Sequence, residues 1–175
     1  MVWTVGHSTR SIEEFIAVLR AHDIEALIDV RRFPASRRLP FFNAVPLAAS
    51  LDAAGIAYCS LPSLGGRRTP ARDSPNTGWR HSSFRGYADH MQTEEFAEGL
   101  FELLMVAGGL NTTVMCAEML WWRCHRRLIA DQLTVLGEDV LHIQSAKPAA
   151  KHRLTEPAQI VDGRLSYDAR QGALF

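Results

Sequence analysis

Five short apolar segments, "VWTVGH", "IEALIDVRR", "IAYCSLP", "TTVMCAE" and "DVLHI", recur along the chain with a helix-like stretch between each pair. Strands separated by helices cannot pair as hairpins. They join as crossovers between parallel neighbours, with the helices laid on the sheet. This alternation predicts an α/β fold: a single three-layer domain with a mostly parallel sheet of about five strands flanked by helices. A chain of 175 residues suits one such core.

Local signals place the helices. Ser11 and Glu14 form a capping box that opens a helix through Phe15, Ile16 and Leu19. A second helix is expected from Asn43 to Ala54, stopped by Gly55. A third starts at Thr93 and carries Phe96, Leu100, Leu103 and Leu104 at helical spacing. The last is read in "CHRRLIADQLTVLG", whereas residues 65–86, rich in Gly, Pro, Ser and Arg, read as a long loop. After Ser145 the pattern dissolves into a polar tail holding the turn "VDGRLSY". The expected division is an α/β domain over 1–146 and a C-terminal extension over 147–175, packed on it or partly flexible and ending in "QGALF".

In such sheets ligands bind beyond the carboxyl ends of the strands. The unusual polar residues fall at those ends: His7 and Ser8, then Asp29, Arg31 and Arg32, then Gly65 and Gly66, then Cys116 and Glu118. Four separate segments converging on one rim place a site there. Asp29 is expected to orient Arg31, with Ser36 and Arg37 holding an anion from the turn after Pro34. Gly65 and Gly66 would let backbone N–H groups approach a phosphate. Arg31, Arg37 and Arg126 are assigned to phosphate, and a Glu118–Arg126 pair is expected. His7 and Glu118 would do acid–base work if there is catalysis. Tyr87 or Trp79, set among arginines, would stack on a base. The plainer readings are solvated charges after buried strands, a tight turn at "GHS", a core histidine at His125 and a small buried hydrophobe at Cys124.

Charge narrows the partners. Formal net charge is zero, so no global field draws the chain to nucleic acid or membrane. The basic residues are nearly all arginines, clustered at 31–38, 67–85 and 123–127; Lys147 and Lys151 are the only lysines. Arginine's planar fork suits phosphate and carboxylate. Cys59, Cys116 and Cys124 are an odd number at unpatterned spacings, which points to a reducing, cytoplasmic setting. "MVWTVGHSTR" does not read as a signal peptide, and no apolar run reaches membrane-spanning length.

Three functions fit these residues. The favoured one is binding, and processing if there is catalysis, of a phosphate-bearing ligand, with a nucleotide or nucleic acid preferred and a link to DNA repair. The alternative is a Cys116-dependent enzyme of rhodanese or phosphatase type. Cys116 stands where a strand enters a loop before a helix, and helix N–H groups favour a thiolate. "ALIDVR" and "VMC…LTVLGEDVLHI" resemble the corresponding parts of rhodanese-like domains. The phosphatase spacing would put an arginine six positions after Cys116, where this chain has Trp122, with Arg123 one too late. The third reading is a non-enzymatic adaptor. The cofactor is unknown. Zinc at Cys116, Cys124 and His125 is disfavoured, because Cys-x7-Cys-His is not a recurring zinc spacing and the fourth ligand would have to come from Cys59 or His7.

Taken together, "TVGHS", "DVRRFPASR", "LGG", "CAE", "CHR" and "DGRLSY" resemble the bacterial domain of unknown function 488 family, most specifically in "CAE" followed by "CHR". The resemblance implies that His7, Ser8, Asp29, Arg31, Pro34, Ser36, Arg37, Cys116, Glu118, Cys124, His125 and Arg126 occupy the family's motif positions. It implies a shared site without naming its chemistry.

The tail adds a partner. Gln171, Leu174 and Phe175 resemble the Gln-x-x-Leu-Phe peptides by which bacterial repair and replication proteins hold the sliding clamp. The intact chain should therefore bind the organism's clamp at roughly micromolar strength in a calorimetric titration. A chain ending at Arg170 should not, and equal behaviour of the two would remove this partner.

Overall fold

The computed structural model describes residues 1–170, so Gln171, Leu174 and Phe175 of the clamp-like motif lie outside the described residues. The three central strands, β1 (Val2–Gly6), β2 (Ala26–Asp29) and β4 (Thr112–Cys116), are buried along nearly their whole length, as a sheet covered on both faces requires. With β3 (Ala57–Ser60), β5 (Val140–Ile143) and β6 (Ala150–Lys151) they form a six-stranded sheet in the order β3-β2-β4-β1-β5-β6. All pairings are parallel except β5 with β6. The chain is thus a mainly parallel α/β fold, as its alternation predicts, with five α-helices among the described residues.

Side-chain alternation divides the core in two. Leu27 and Met115 point to the face covered by α1 (Ile12–Arg20) and α2 (Ala44–Asp52), where they meet Phe15, Leu19, Leu47 and Leu51. Ile28, Val114 and Cys116 point to the other face, covered by α3 (Ser82–His90), α4 (Glu94–Ala107) and α5 (Arg126–Val135). The Ser11–Glu14 capping box is present at the start of α1, and Thr93 caps α4. Asn43 is the N-cap residue of α2, and Gly55, at φ +76°, follows its end.

Two elements depart from the expected string. Helix α3 occupies part of the segment read as loop. Its buried residues include Gly86 and His90, which give no apolar stripe. Gly86 is demanded by packing, since a Cβ there would lie 2.5 Å from the Arg68 carbonyl. Helix α5 begins at Arg126 rather than at Cys124, with His125 as its N-cap residue.

The segment after β5 adds β6 to the sheet edge and then a hairpin, β7 (Gln159–Val161) and β8 (Arg164–Ser166), turned by Asp162 and Gly163 at positive φ. It is held down by Asp131 on α5, which is fully buried. This carboxylate accepts from the Thr155 N–H at 2.8 Å, the Thr155 hydroxyl at 2.6 Å and the Tyr167 hydroxyl at 2.8 Å. His152 Nε2 lies 2.9 Å from the same carboxylate, and His152 Nδ1 lies 2.9 Å from His142 Nε2. His142 Nδ1 in turn meets the Thr4 hydroxyl at 2.7 Å, and Trp121 stacks on the His142 ring at 3.9 Å.

Burial, with the neighbouring His152 and Arg126, lowers the His142 pKa from 6.5 to about 3. A histidine held neutral in this way contributes stability that is complete above its unfolded pKa and is lost as pH falls. The unfolding free energy from urea titrations should therefore drop as pH falls from 6.5 towards 4, by up to about 1.4 kcal/mol per pH unit for this residue. His142→Gln, which cannot titrate, should flatten that part of the profile; an unchanged slope would show that the ring does not carry it.

Candidate functional site

Strand β4 lies between β1 and β2, so the carboxyl ends of all three open on one edge. The chain leaving β4 crosses over the end of β1. A Cβ on Gly6 would stand 1.9 Å from the Glu118 carbonyl oxygen, so only glycine admits this crossing. Beyond it lies a cleft of about 700 Å³. Its walls include His7, Ser8, Arg31, Gly66, Cys116 and Glu118, which the order of elements places on one rim, together with Ser36 and Tyr87. Arg32, Phe33, Arg38, Arg67 and Arg123 stand around it as well.

One wall is fixed by a buried ion pair. Asp29, fully buried, accepts from Arg31 Nε at 2.8 Å, Nη2 at 2.6 Å and the Arg31 N–H at 3.0 Å. The Tyr58 hydroxyl donates to it at 3.0 Å; burial and then the carboxylate push that phenol up to about 12. Arg31 Nη2 also reaches the Phe42 carbonyl, and Nη1 reaches His7 Nε2 at 3.3 Å. Since a guanidinium only donates, His7 Nε2 must accept, and Nδ1 carries the proton given to the Ser8 carbonyl at 2.9 Å. Burial and the Arg31 charge lower the His7 pKa to about 4. His7, stacked on Phe42 at 4.1 Å, therefore braces Arg31 and is a poor base at neutral pH. Four of the five Arg31 N–H groups are used, leaving one on Nη1.

Arg126 is not on the rim. It is fully buried, with Nη2 on the Glu118 and Met119 carbonyls and Nη1 on the Thr4 hydroxyl at 3.3 Å. The expected Glu118–Arg126 carboxylate pair does not form: the guanidinium holds the Glu118 backbone while the Glu118 side chain faces out, exposed. The reason is the crossing over Gly6, which turns two carbonyls inward to where a donor is needed. Arg126 has no carboxylate ion partner among the described residues.

What lies beside it instead is sulfur. Cys116 Sγ and Cys124 Sγ are 2.7 Å apart, both free thiols and both nearly buried at the floor of the cleft. Cys124 stands just ahead of α5, and its sulfur accepts from the Arg126 N–H at 3.5 Å. Burial opposes its ionisation, yet the hydrogen bond from Cys116 and the Arg126 charge bring its pKa down to about 6. Cys116, buried at the strand end and donating to Cys124, is pushed well up. The thiolate therefore belongs to Cys124, at the helix start, and not to Cys116.

Other placements differ from expectation. Arg37 is exposed and away from the cleft, because the turn closed by the Leu39 N–H on Ser36 Oγ presents Arg38 to the cleft instead. Gly65 and Gly66 admit protein: Cβ atoms there would lie 2.8 Å from Arg32 Cβ and 2.8 Å from His125 Nδ1. Tyr87 is 1% exposed and donates to the Leu64 carbonyl, and Trp79 lies buried under Arg127 at 4.4 Å, so neither presents a free face. Phe33, 61% exposed at the cleft, has the Arg32 guanidinium over its ring at 5.5 Å and is otherwise open. The donor atoms of Cys116, Cys124 and His125 lie within 4.8 Å of one another. Neither Cys59 nor His7 joins them, and both His7 nitrogens are already engaged. Phe33 sits in the "DVRRFPASR" turn and Arg38 directly follows it, but which side chains there face the cleft is not encoded in any spacing.

This cleft at the carboxyl edge of a mainly parallel sheet, floored by a cysteine pair, defines the chain as an α/β protein with a polar rim site. It belongs to the family described as "Domain of unknown function DUF488", whose model matches residues 11–133. The matched stretch contains Asp29, Arg31, Cys116, Glu118, Cys124, His125 and Arg126, whereas His7, Ser8 and the late hairpin lie outside it. No curated relative and no solved structure matches the chain.

Alkylation should resolve the two thiols. Cys124 should react with iodoacetamide through a pH midpoint of about 6, while Cys116 stays slow through neutrality. Arg126→Lys should keep the midpoint low and Arg126→Met should raise it by about one unit. A midpoint indifferent to both would show that the guanidinium is not the thiolate's counter-charge.

Proposed function

We propose that the cleft binds a phosphate-bearing ligand, a nucleotide or a nucleic-acid strand. The observation that carries this is the unneutralised charge around its mouth. Arg32, Arg38, Arg67 and Arg123 line it and are exposed, and none has a carboxylate partner among the described residues; Glu118 is the one acid among them. Arg31 is braced by Asp29 and His7 and keeps one Nη1 hydrogen for a ligand oxygen. Phe33 supplies the ring on which a base would stack, in place of Tyr87 or Trp79. Ser8 and Ser36 stand on the same walls. The link to DNA repair rests on the clamp-like tail alone.

A second reading is favoured by one observation, the thiolate at the floor of this cationic cleft. It is a cysteine-dependent enzyme in which Cys124, not Cys116, is the nucleophile and Arg126 holds its charge.

Binding of a labelled single strand or nucleotide should test the first reading. The double variant Arg38→Ala, Arg123→Ala should weaken binding about tenfold or more and lower the salt slope by about one for each arginine. Glu118→Gln, which removes the opposing charge, should strengthen it. Affinity and slope unchanged in both variants would rule out the cleft as the anion site.

A further inference from the structure

We propose that Cys116 and Cys124 are a redox-active dithiol that exchanges with the disulfide of an anionic thiol compound entering the cleft. The negative charge of that compound rests on the cleft reading given above; the dithiol chemistry does not.

The geometry favours exchange over the other uses of this cluster. The sulfurs stand 2.7 Å apart, whereas two thiolates on one tetrahedral zinc at the usual bond length lie about 3.7 Å apart. A buried guanidinium beside the pair also opposes a dication. A nucleophile working alone needs no second thiol in contact with it. Here the second thiol lies where a resolving cysteine has to be, and both sulfurs line the cleft through which a substrate would reach them.

The steps balance as follows. The Cys124 thiolate attacks one sulfur of the compound R–S–S–R, forming a mixed disulfide and releasing R–S⁻. Cys116 then attacks Cys124 Sγ. The Cys116 proton leaves with the second departing thiolate as R–SH, and the internal disulfide forms. The protein dithiol is oxidised by two electrons and the compound's disulfide is reduced by the same two. Closing the disulfide removes the anion beside Arg126, so the dithiol is the favoured resting state and a dithiol reductant readily restores it.

Full-length reduced protein is treated with oxidised glutathione, a disulfide of net negative charge at neutral pH, or with neutral 2-hydroxyethyl disulfide, then alkylated and mapped by mass spectrometry. The expected product is a wild-type chain lighter by two hydrogens, with Cys116 and Cys124 joined, Cys59 still alkylated, and full reversal by dithiothreitol. Cys116→Ser should stop at a glutathione adduct on Cys124, and Cys124→Ser should give no adduct at either position. Melting curves check that each variant is folded, and the wild-type product needs no variant. Cys116 and Cys124 both left alkylatable, an adduct confined to Cys59, or one zinc per chain that blocks alkylation until chelated would each overturn the dithiol. Glutathione should react about tenfold faster than the neutral disulfide at low salt. Equal rates with the internal disulfide still formed would keep the dithiol and overturn its preference for an anion.

Discussion

A buried arginine without a carboxylate organises this molecule. Taking a guanidinium out of water is costly unless its donors are met and its charge is offset nearby. Arg126 meets the first demand in part, with the Glu118 and Met119 carbonyls and the Thr4 hydroxyl while its Nε stays unpartnered, and the second with the Cys124 thiolate. A continuous line of hydrogen bonds joins Arg126, the Thr4 hydroxyl, His142, His152 and Asp131. Two buried polar side chains of the same helix, Arg126 and Asp131, are thus joined through one hydrogen-bonded network. The chain of bonds ties β1, α5, β5 and the C-terminal hairpin into one polar seam through an apolar core.

That seam has consequences at the cleft. The loop after β4 must cross close to β1 for its carbonyls to reach Arg126, which is why Gly6 has no room for a Cβ. The crossing fixes where Cys116 leaves its strand and where α5 starts, and so brings the two sulfurs together. The cationic mouth is drawn mainly from other segments, the turn after β2 and the loop after β3, with Arg123 added from the end of the crossing loop itself. Floor and mouth are therefore separable: the first is set by burial, the second by exposed side chains.

Two titrating groups illustrate the same logic in opposite senses. His7 and Cys124 each sit beside an arginine. Next to Arg31, the imidazole is held neutral and accepts a hydrogen bond; next to Arg126, the thiol is drawn into its charged form. The arginine charge lowers both pKa values; the outcomes differ because protonated imidazole is a cation, which it disfavours, and deprotonated thiol is an anion, which it favours, while Asp29 opposes the effect at His7.

The sequence by itself determined the alternation of strands and helices, the capping box at Ser11, the convergence of His7, Asp29, Arg31 and Cys116 on one rim, and the family. These rest on periodicity and local chemistry, which act over a few residues. Helix α3 was not legible because its buried face is polar and glycine-bearing, and the seam from Arg126 to Asp131 was not because its members lie far apart in the chain. Only the tertiary structure decided that Arg126 faces inward to carbonyls rather than outward to an anion, that Arg38 replaces Arg37 at the cleft, and that the thiolate rests on Cys124. Burial is the physical reason: whether a charged side chain meets water, a carbonyl or a sulfur depends on what the rest of the chain packs around it.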